Sequence, residues 1–432
     1  KRKSGTDENL RHYLMNRYET YKPSGIDWIG NYPKHWEFRR LKNVCIVNKE
    51  ALTDKTLFDY LIEYIDIGNT TDNGEFLELQ EIEFSEAPSR ARRKVEDGDT
   101  IISTVRTYLR AIAFIENPKE NLIVSTGFAV LNPIKRTLVP KFLFYQVLCD
   151  SFIQRVIANS EGVSYPAISS TKLADLKLFI PSVEEQLTIA NYLDEQTQKI
   201  DRLIANKKAQ AEKLKELRQI EINNAVTKVL NPNAEMKDSG IEWLGKIPKH
   251  WELKRLKNIL LNINSGDGIS NDELVEDGEI EVYGGNGVMG YTDKFNSDGK
   301  VIIIGRVGAK CGVVYLVDKK IWISDNALQS RTYQNYEFVY YLIDAMNLNN
   351  YANQNAQPLI TGGILKGLYA ALPPKNEQAE IANFLQQRTS AIDQLIKNIE
   401  AQIEKLQELR KIKIYEAVTG KIKVNAYAET TA

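Results

Sequence analysis

The feature that most constrains this chain is an internal repeat, because a duplicated sequence is expected to build a duplicated unit. Residues 24–43 read SGIDWIGNYPKHWEFRRLKN and residues 239–258 read SGIEWLGKIPKHWELKRLKN, identical at about 14 of 20 positions. A second pair follows: PSVEEQLTIANYLDEQTQKIDRLI from Pro181 matches PPKNEQAEIANFLQQRTSAIDQLI from Pro373, and EKLKELR from Glu212 matches EKLQELR from Glu404. The first pair is offset by 215 residues and the second by 192, so the intervening segment is longer in the first copy. The order is therefore motif, variable block, helix, and the same again. We divide the chain into an N-terminal extension (1–20), a first block with its junction motif (21–180), a first spacer helix (181–230), a linker with the second motif and block (231–372), a second spacer helix (373–423) and a tail (424–432). Residues 1–14, ahead of Met15, are either part of the chain proper or an added leader.

The spacer segments carry the clearest periodicity. Leu385, Ile392, Ile399 and Leu406 recur every seventh residue, supported by Ile381, Leu395, Ile403 and Leu409, which is a coiled-coil stripe. The first copy has Leu193, Ile200, Lys207 and Leu214, supported by Ile189, Leu203 and Leu217, with one lysine in the seam. From Glu184 to Val226 there is no Gly or Pro, and a helix of that length extends about 65 Å. It needs an equally long partner, and its own repeat is the candidate. Antiparallel pairing would place the two blocks at opposite ends of a rod, related by an approximate twofold axis. Charges along the helix are balanced, as on a solvated face, leaving its outward side as a surface for another protein.

Composition adds exclusions. The chain has 432 residues, is 43% hydrophobic and 26% charged, and carries 56 basic against 57 acidic side chains. That is a globular composition, and no apolar run reaches the roughly 20 residues that span a bilayer, nor is there a secretory leader, so a cytoplasmic location is expected. Cys45, Cys149 and Cys311 are odd in number and far apart, which points to core positions and not to disulfides or zinc.

Both variable blocks read as mixed α/β. Strand-like runs occur at Leu61–Ile67, Thr100–Val105, Ile112–Ile115 and Leu122–Val124 before a helix over Pro140–Ile157; in the second block they occur at Glu279–Tyr283, Lys300–Ile304, Val313–Val317 and Ile321–Ile323 before a helix over Tyr336–Asn347. Landmarks recur: Asp97-Gly98 and Asp298-Gly299, then Arg106/Arg110 and Arg306/Lys310, then Ser125-Thr126-Gly127 and Ser324-Asp325-Asn326. One framework with different surface residues suits recognition better than catalysis, since a duplicated enzyme should keep its reactive groups twice. Arg and Lys donate to guanine edges or phosphates, and neighbouring Asn, Thr and Tyr add donors and acceptors. The candidate DNA-contact residues are accordingly Arg90, Arg92, Arg93, Arg106, Tyr108, Arg110 and Thr126 in the first block, with Tyr283, Asn286, Arg306, Lys310 and Asn326 in the second. Surface solubilisation or ion pairing competes with this reading at each arginine, and a solvated loop competes for the cluster from Arg90 to Lys94. Leu193, Ile200, Leu214, Leu385, Ile392, Ile399 and Leu406 are assigned to the spacer helices and partner binding.

Catalytic and metal motifs fail. Gly285-Asn286-Gly287-Val288-Met289-Gly290 matches GxGxxG, but the residues after it read as a turn and not as a helix able to hold a pyrophosphate. No P-loop is present. Glu235-Met236-Lys237 and Glu252-Leu253-Lys254 lack an upstream acidic partner for a nuclease centre, and the one Pro-Pro pair, Pro373-Pro374, is not in a methyltransferase motif. Of three histidines, His12 lies in a polar N-terminal stretch, while His35 and His250 belong to the PKHWE repeats and are expected to pack the junction between helix and block. Trp28 and Trp243 read as core or interface anchors.

The SGI[DE]W[IL]G..PKHWE..RLKN motif and the P...EQ..IAN[YF]L helix start, each occurring twice, resemble the specificity subunits of Type I restriction–modification systems over about Tyr21 to Lys423. The resemblance implies two target-recognition domains separated by two long antiparallel coiled-coil helices, an α+β chain with an internal pseudo-twofold repeat and no catalytic centre. It implies one DNA half-site per block, with separate modification subunits, two of them expected, that bind S-adenosylmethionine and methylate adenine. Motor-nuclease subunits using ATP and Mg would cleave unmodified DNA. The helices would then act as a ruler for the gap between half-sites. Base-contact residues are not supplied by the resemblance, because the blocks are the family's variable part. A rival reading, an adaptor whose blocks bind proteins, would show no methylation of a discrete bipartite sequence when mixed with a modification subunit.

Overall fold

The computed structural model describes residues 17–424 apart from 71–75, 77–78, 229, 232, 309 and 354–357; His12, Met15 and the extreme tail lie outside the described residues. Packing divides the chain inside both long helices. Residues up to Asn206 together with those from Gln402 form one unit, and Lys207–Ala401 form the other. Each unit thus contains one block and half of each spacer helix, where the sequence suggested helices standing apart.

In the first unit the strands are β1 (Tyr21–Pro23), β2 (Asn31–Pro33), β3 (Glu37–Arg40), β4 (Cys45–Val47), β5 (Leu61–Ile65), β6 (Gln80–Glu83), β7 (Ala91–Lys94), β8 (Thr100–Ser103), β9 (Ile112–Phe114), β10 (Leu122–Ser125), β11 (Phe128–Pro133) and β12 (Lys177–Ile180). Helices α1 (Pro140–Leu148), α2 (Asp150–Ala158) and α3 (Ser170–Asp175) precede the long α4 (Val183–Lys228). The helix expected over 140–157 is broken at Cys149, whose backbone is extended and whose carbonyl caps the restart by accepting from Phe152 and Ile153. Two four-stranded sheets, in the orders β6-β5-β10-β7 and β4-β11-β8-β9, carry the block, and β12 pairs with β3 of the junction motif.

The second unit repeats this plan with β13 (Met236–Asp238), β14 (Lys246–Pro248), β15 (Glu252–Arg255), β16 (Leu260–Ser265), β17 (Ile280–Gly284), β18 (Gly287–Thr292), β19 (Lys300–Gly305), β20 (Val314–Asp318), β21 (Ile321–Ile323), β22 (Ala327–Thr332) and β23 (Tyr369–Leu372), and with helices α5 (Tyr336–Ala345), α6 (Gly362–Gly367) and α7 (Lys375–Val418). Its sheets run β18-β17-β21 and β16-β22-β19-β20. Each matches a sheet of the first unit, including the parallel pairing of β5 with β10 and of β17 with β21. The difference is β7. Antiparallel to β10 in the first unit, it has as its second-unit counterpart among the described residues only the single bridge of Ser297 to Ile321.

The long helices pair antiparallel within each unit. In the first, Leu193 packs with Ile414, Ala417 and Val418, while Asp201 meets Arg410 at 3.0 Å. In the second, the equivalent ion pair joins Asp393 to Arg218 at 3.0 Å, and Glu221 meets Arg388 at 2.8 Å. Heptad positions Leu193, Ile200, Leu385 and Ile392 are buried, and Leu214, Ile399, Leu406 and the seam lysine Lys207 are half-buried. Of the supporting positions, Ile189 and Ile381 are buried as expected and Ile403 is half-buried, while four differ from expectation. Leu203, Leu217, Leu395 and Leu409 are 40–51% exposed, and the second seam row is instead Thr197, Ile204 and Ala211, with Thr389 on the partner helix. Leu203 precedes Ile204 by one residue, a rotation of about 100° that carries it out of the seam.

The two helix starts are tied to their blocks by the same residues of the EQ motif. His35 Nε2 lies 3.1 Å from Glu185, and His250 Nε2 lies 2.7 Å from Glu377, so both histidines sit at the junction as expected. Trp36 and Trp251 are fully buried there. Trp28 departs from the core reading, being 56% exposed in a turn, and Trp243 only lines the second core. All three cysteines are free and buried.

The seam assignment is directly testable. Leu385→Ala removes a fully buried side chain and should cost about 2–5 kcal/mol in chemical denaturation, whereas Leu395→Ala on the exposed face should change stability by about 0.5 kcal/mol or less. Equal effects would refute the register.

Candidate nucleic-acid interface

In the first block the basic cluster from Arg90 to Lys94 lies on strand β7 and its approach, not in a solvated loop. A register shift in the pairing with β10 falls at Arg92, and the arginines have different surroundings. Arg92 turns to the face of Phe84, 4.5 Å from the ring centroid, and so serves packing. Arg90 pairs with Asp66, and its carbonyl accepts from the Thr126 N–H at 2.8 Å. Arg93 is half-buried, reaches the Thr126 carbonyl at 3.5 Å, and has no carboxylate partner among the described residues; burial lowers its pKa. Thr104 donates twice to Gly127, from N–H at 2.8 Å and from Oγ1 at 2.9 Å, so the 104–110 loop lies beside Thr126. Arg90, Arg93, Thr126 and this loop therefore come together, and Arg92 does not join them.

The loop itself holds a short 3-10 turn, Thr107–Leu109, flanked by Arg106 (φ 49°) and Arg110 (φ 55°), both left-handed. That conformation costs a non-glycine residue about 1–2 kcal/mol. Arg106 and Tyr108 are exposed, and the Arg106 guanidinium lies 4.7 Å from the centroid of the Tyr165 ring. Arg110 instead pairs with Asp150 at 2.5 Å.

Backbone hydrogen bonds fix which residues of the second block are equivalent. Ser103 N–H donates to Ala111 and Gly305 to Val313; Thr104 donates to Gly127 and Arg306 to Asn326; Arg106 donates to Pro166 and Gly308 to Pro358. Thus Arg306 corresponds to Thr104 and Lys310 to Tyr108, while Arg106 and Arg110 correspond to Gly308 (φ 86°) and Gly312 (φ 89°). The match of Arg106/Arg110 to Arg306/Lys310 suggested by sequence landmarks is off by two residues, because β19 is longer than β8. The match of Ser125-Thr126-Gly127 to Ser324-Asp325-Asn326 does coincide with the hydrogen-bonding register.

The second block gathers its candidates on a glycine-lined surface. The GxGxxG segment is a hairpin: Gly285-Asn286 is the turn between β17 and β18, and no helix follows. Asn286 is exposed at the tip, and Tyr283 accepts from Ser324 N–H at 2.9 Å. A β-carbon at Gly305 would stand 2.3 Å from the Gly285 carbonyl, and one at Gly285 would stand 3.1 Å from the Asn326 carbonyl, so hairpin, β19 end and Asn326 loop are in direct backbone contact. Arg306 Nη1 donates to Asp325 O at 3.2 Å, and Lys310 is exposed. No cluster of metal-ligating residues occurs among the described residues.

Leu193, Ile200, Leu385 and Ile392 are not available to an outside partner, since they are buried between the helices. The outward apolar residues that recur in both helices are Leu203, Leu217 and Ile220 on α4 and their equivalents Leu395, Leu409 and Ile412 on α7. Sequence reasoning also missed Tyr165 and the loop carrying it, which has no repeat or motif to mark it.

Known proteins agree with this architecture. The model for the Type I restriction modification DNA specificity domain matches residues 33–213 and again 248–405. A Methanocaldococcus jannaschii protein described as the type I restriction enzyme MjaX specificity subunit is 27% identical over 92% of this chain and 96% of its own length. The EcoprrI specificity subunit of Escherichia coli is 31% identical over 29% of this chain and 33% of its own. A solved chain from work on assembly and conformational transition of the type I R-M system aligns with a TM-score of 0.71 at 21% identity, covering 90% of this chain and 99% of that one. The chain belongs to the Type I restriction–modification DNA specificity family. It is a DNA-specificity subunit with two specificity domains and not itself a catalyst.

The backbone contact at Gly305 predicts that Gly305→Ala destabilises the second unit by about 2 kcal/mol or more, read as a lowered denaturation midpoint. An unchanged midpoint would show that the hairpin does not rest on β19.

Proposed function

We propose that each block reads one half of an asymmetric bipartite DNA site through the surfaces just described. In the first block these are Arg90, Arg93, Arg106, Tyr108 and Thr126; in the second, Tyr283, Asn286, Arg306, Lys310 and Asn326. The observation that carries this is the pair of equivalent loops, 104–110 and the described residues of 306–312, on matching sheets: the backbone hydrogen bonds that anchor them are kept while the side chains change, arginines standing where the other block has glycines. The half-sites should accordingly differ. Exchanging residues 44–180 for another family member's block, then sequencing the methylome of a host that also makes the modification subunit, should change one half-site and leave the other. A change in both halves, or in neither, would refute independent reading.

The outward apolar residues favour partner docking at two equivalent places. Leu203 with Leu409 and Ile412 in the first unit, and Leu395 with Leu217 and Ile220 in the second, remain exposed at equivalent positions of the repeat, as a matched pair of modification-subunit contacts would require. Those partners would hold S-adenosylmethionine, and the restriction subunits ATP and Mg, in the cytoplasm. No helix of this chain is long and apolar enough to cross a membrane among the described residues. Because these side chains are exposed, Leu203→Lys with Leu395→Lys should leave the thermal midpoint within a few degrees while reducing co-purification of the modification subunit at least tenfold; undiminished co-purification would refute the surface.

A further inference from the structure

Arg106 is the one residue in the first block whose backbone and side chain are both held in an unusual state with no ion pair among the described residues to account for it. Its left-handed neighbour Arg110 has Asp150 as partner, whereas among the described residues the Arg106 guanidinium lies over the Tyr165 ring without a carboxylate. Tyr165 stands on a second loop, closed by reciprocal backbone hydrogen bonds between Glu161 and Ala167 at 2.8 and 2.9 Å and turned at Gly162 (φ 102°). The loops are tied together where Arg106 N–H donates to Pro166 O at 2.8 Å, Ile168 N–H to Thr104 O at 2.8 Å, and Thr107 Oγ1 meets Ser160 Oγ at 3.1 Å. At the outer end Val163 is fully exposed and Tyr165 is 65% exposed. A guanidinium resting over an aromatic ring is restrained while its N–H groups stay available, which suits two parallel hydrogen bonds to one flat acceptor pair.

Resting on the reading that the 104–110 loop faces DNA, we propose that Arg106 is the specificity-determining residue of the first block, reading one guanine through O6 and N7, with Tyr165 as the positioning residue that holds its plane. Among base edges, guanine offers that acceptor pair in the major groove. The second block has Gly308 at this position and must read its half-site without an equivalent arginine.

Glycine at the equivalent site makes Arg106→Gly a clean test, because the left-handed backbone is native to glycine and the loop should fold as before. The full chain, co-expressed with its modification subunit, is assayed for thermal midpoint, complex assembly and methylome. For Arg106→Gly the midpoint should not fall and assembly should be intact. The first-block half-site should lose its requirement at one G·C pair, discrimination there dropping about tenfold or more, with the other half-site unchanged. Tyr165→Phe should behave as the parent, and Tyr165→Ala should relax the same position. An unchanged half-site in Arg106→Gly, or a first half-site with no G·C pair, overturns the proposal. Arg93→Ala and Tyr108→Ala separate it from the underlying reading: if they alter the first half-site while Arg106→Gly does not, the surface is right and the residue is wrong, and if none of the three alters it, both fail.

Discussion

The structure depends on a buried glutamine at the start of each long helix. The Gln186 side chain is fully buried; it accepts from Val139 N–H at 2.8 Å and donates to the carbonyls of Thr137 at 3.0 Å and Pro181 at 2.9 Å. Gln378 repeats this, accepting from Asn335 N–H at 3.0 Å and donating to Gln334 Oε1 at 3.0 Å and Pro373 O at 2.9 Å. An amide in a dry site with these partners stitches three segments at once: the residue before the long helix, the start of the block helix, and the long helix itself. Each orphaned group on losing it would cost about 1–3 kcal/mol. Farther along, Tyr145 and Tyr341 reach Thr197 and Thr389 at 3.1 and 3.0 Å, a second fixed point on the same pair of helices. With two such ties, the block cannot pivot on its helix without breaking buried polar contacts.

That rigidity lets the surroundings drift. In the second unit Glu377 accepts from Trp251 Nε1 at 2.8 Å as well as meeting His250. In the first unit Tyr18 donates to Glu185 at 2.5 Å, and the Trp36 indole N–H is left without a partner among the described residues. Around Trp36 the first unit packs Tyr18 and Phe179, where the second unit has Ala371 in place of Phe179.

Legibility follows from these physics. Heptads, junction motifs and strand runs were readable because they repeat or alternate, and β21 lies where its pattern places it, at Ile321–Ile323. The outward leucines were misplaced because a seven-residue spacing alone does not say which of two adjacent positions faces the partner helix; the deciding fact is that small or polar Thr197 and Ala211 fill the second seam row. The arginine surface was legible only by type. The register of Arg106 depends on how far β8 and β19 extend, a tertiary outcome, and Tyr165 is brought to Arg106 by a loop closure whose sequence carries no signal. β7 was hidden because ARRK, with three charges in a row, lacks apolar alternation and forms by pairing with β10 on one side and with residues 50–52 on the other.

The near-zero net charge also takes on a structural meaning. Many cations in the blocks are already committed: Arg90 to Asp66, Arg110 to Asp150, Lys119 to Glu63, Lys294 to Glu273 and Lys319 to Glu281. Arg93, Arg106, Arg306 and Lys310 are candidate-surface cations with no carboxylate partner among the described residues. Affinity from counterion release grows with each phosphate neutralised, so surfaces with so few uncommitted cations gain little sequence-independent binding. What they retain is directional: the Arg106 guanidinium over the Tyr165 ring, the half-buried Arg93, Arg306 bonded to the Asp325 carbonyl, and the exposed Lys310. On the proposed reading such a block would discriminate sequence by contacts whose geometry is set in advance, and its excess of acidic over basic side chains would keep mismatched DNA from being held by charge alone.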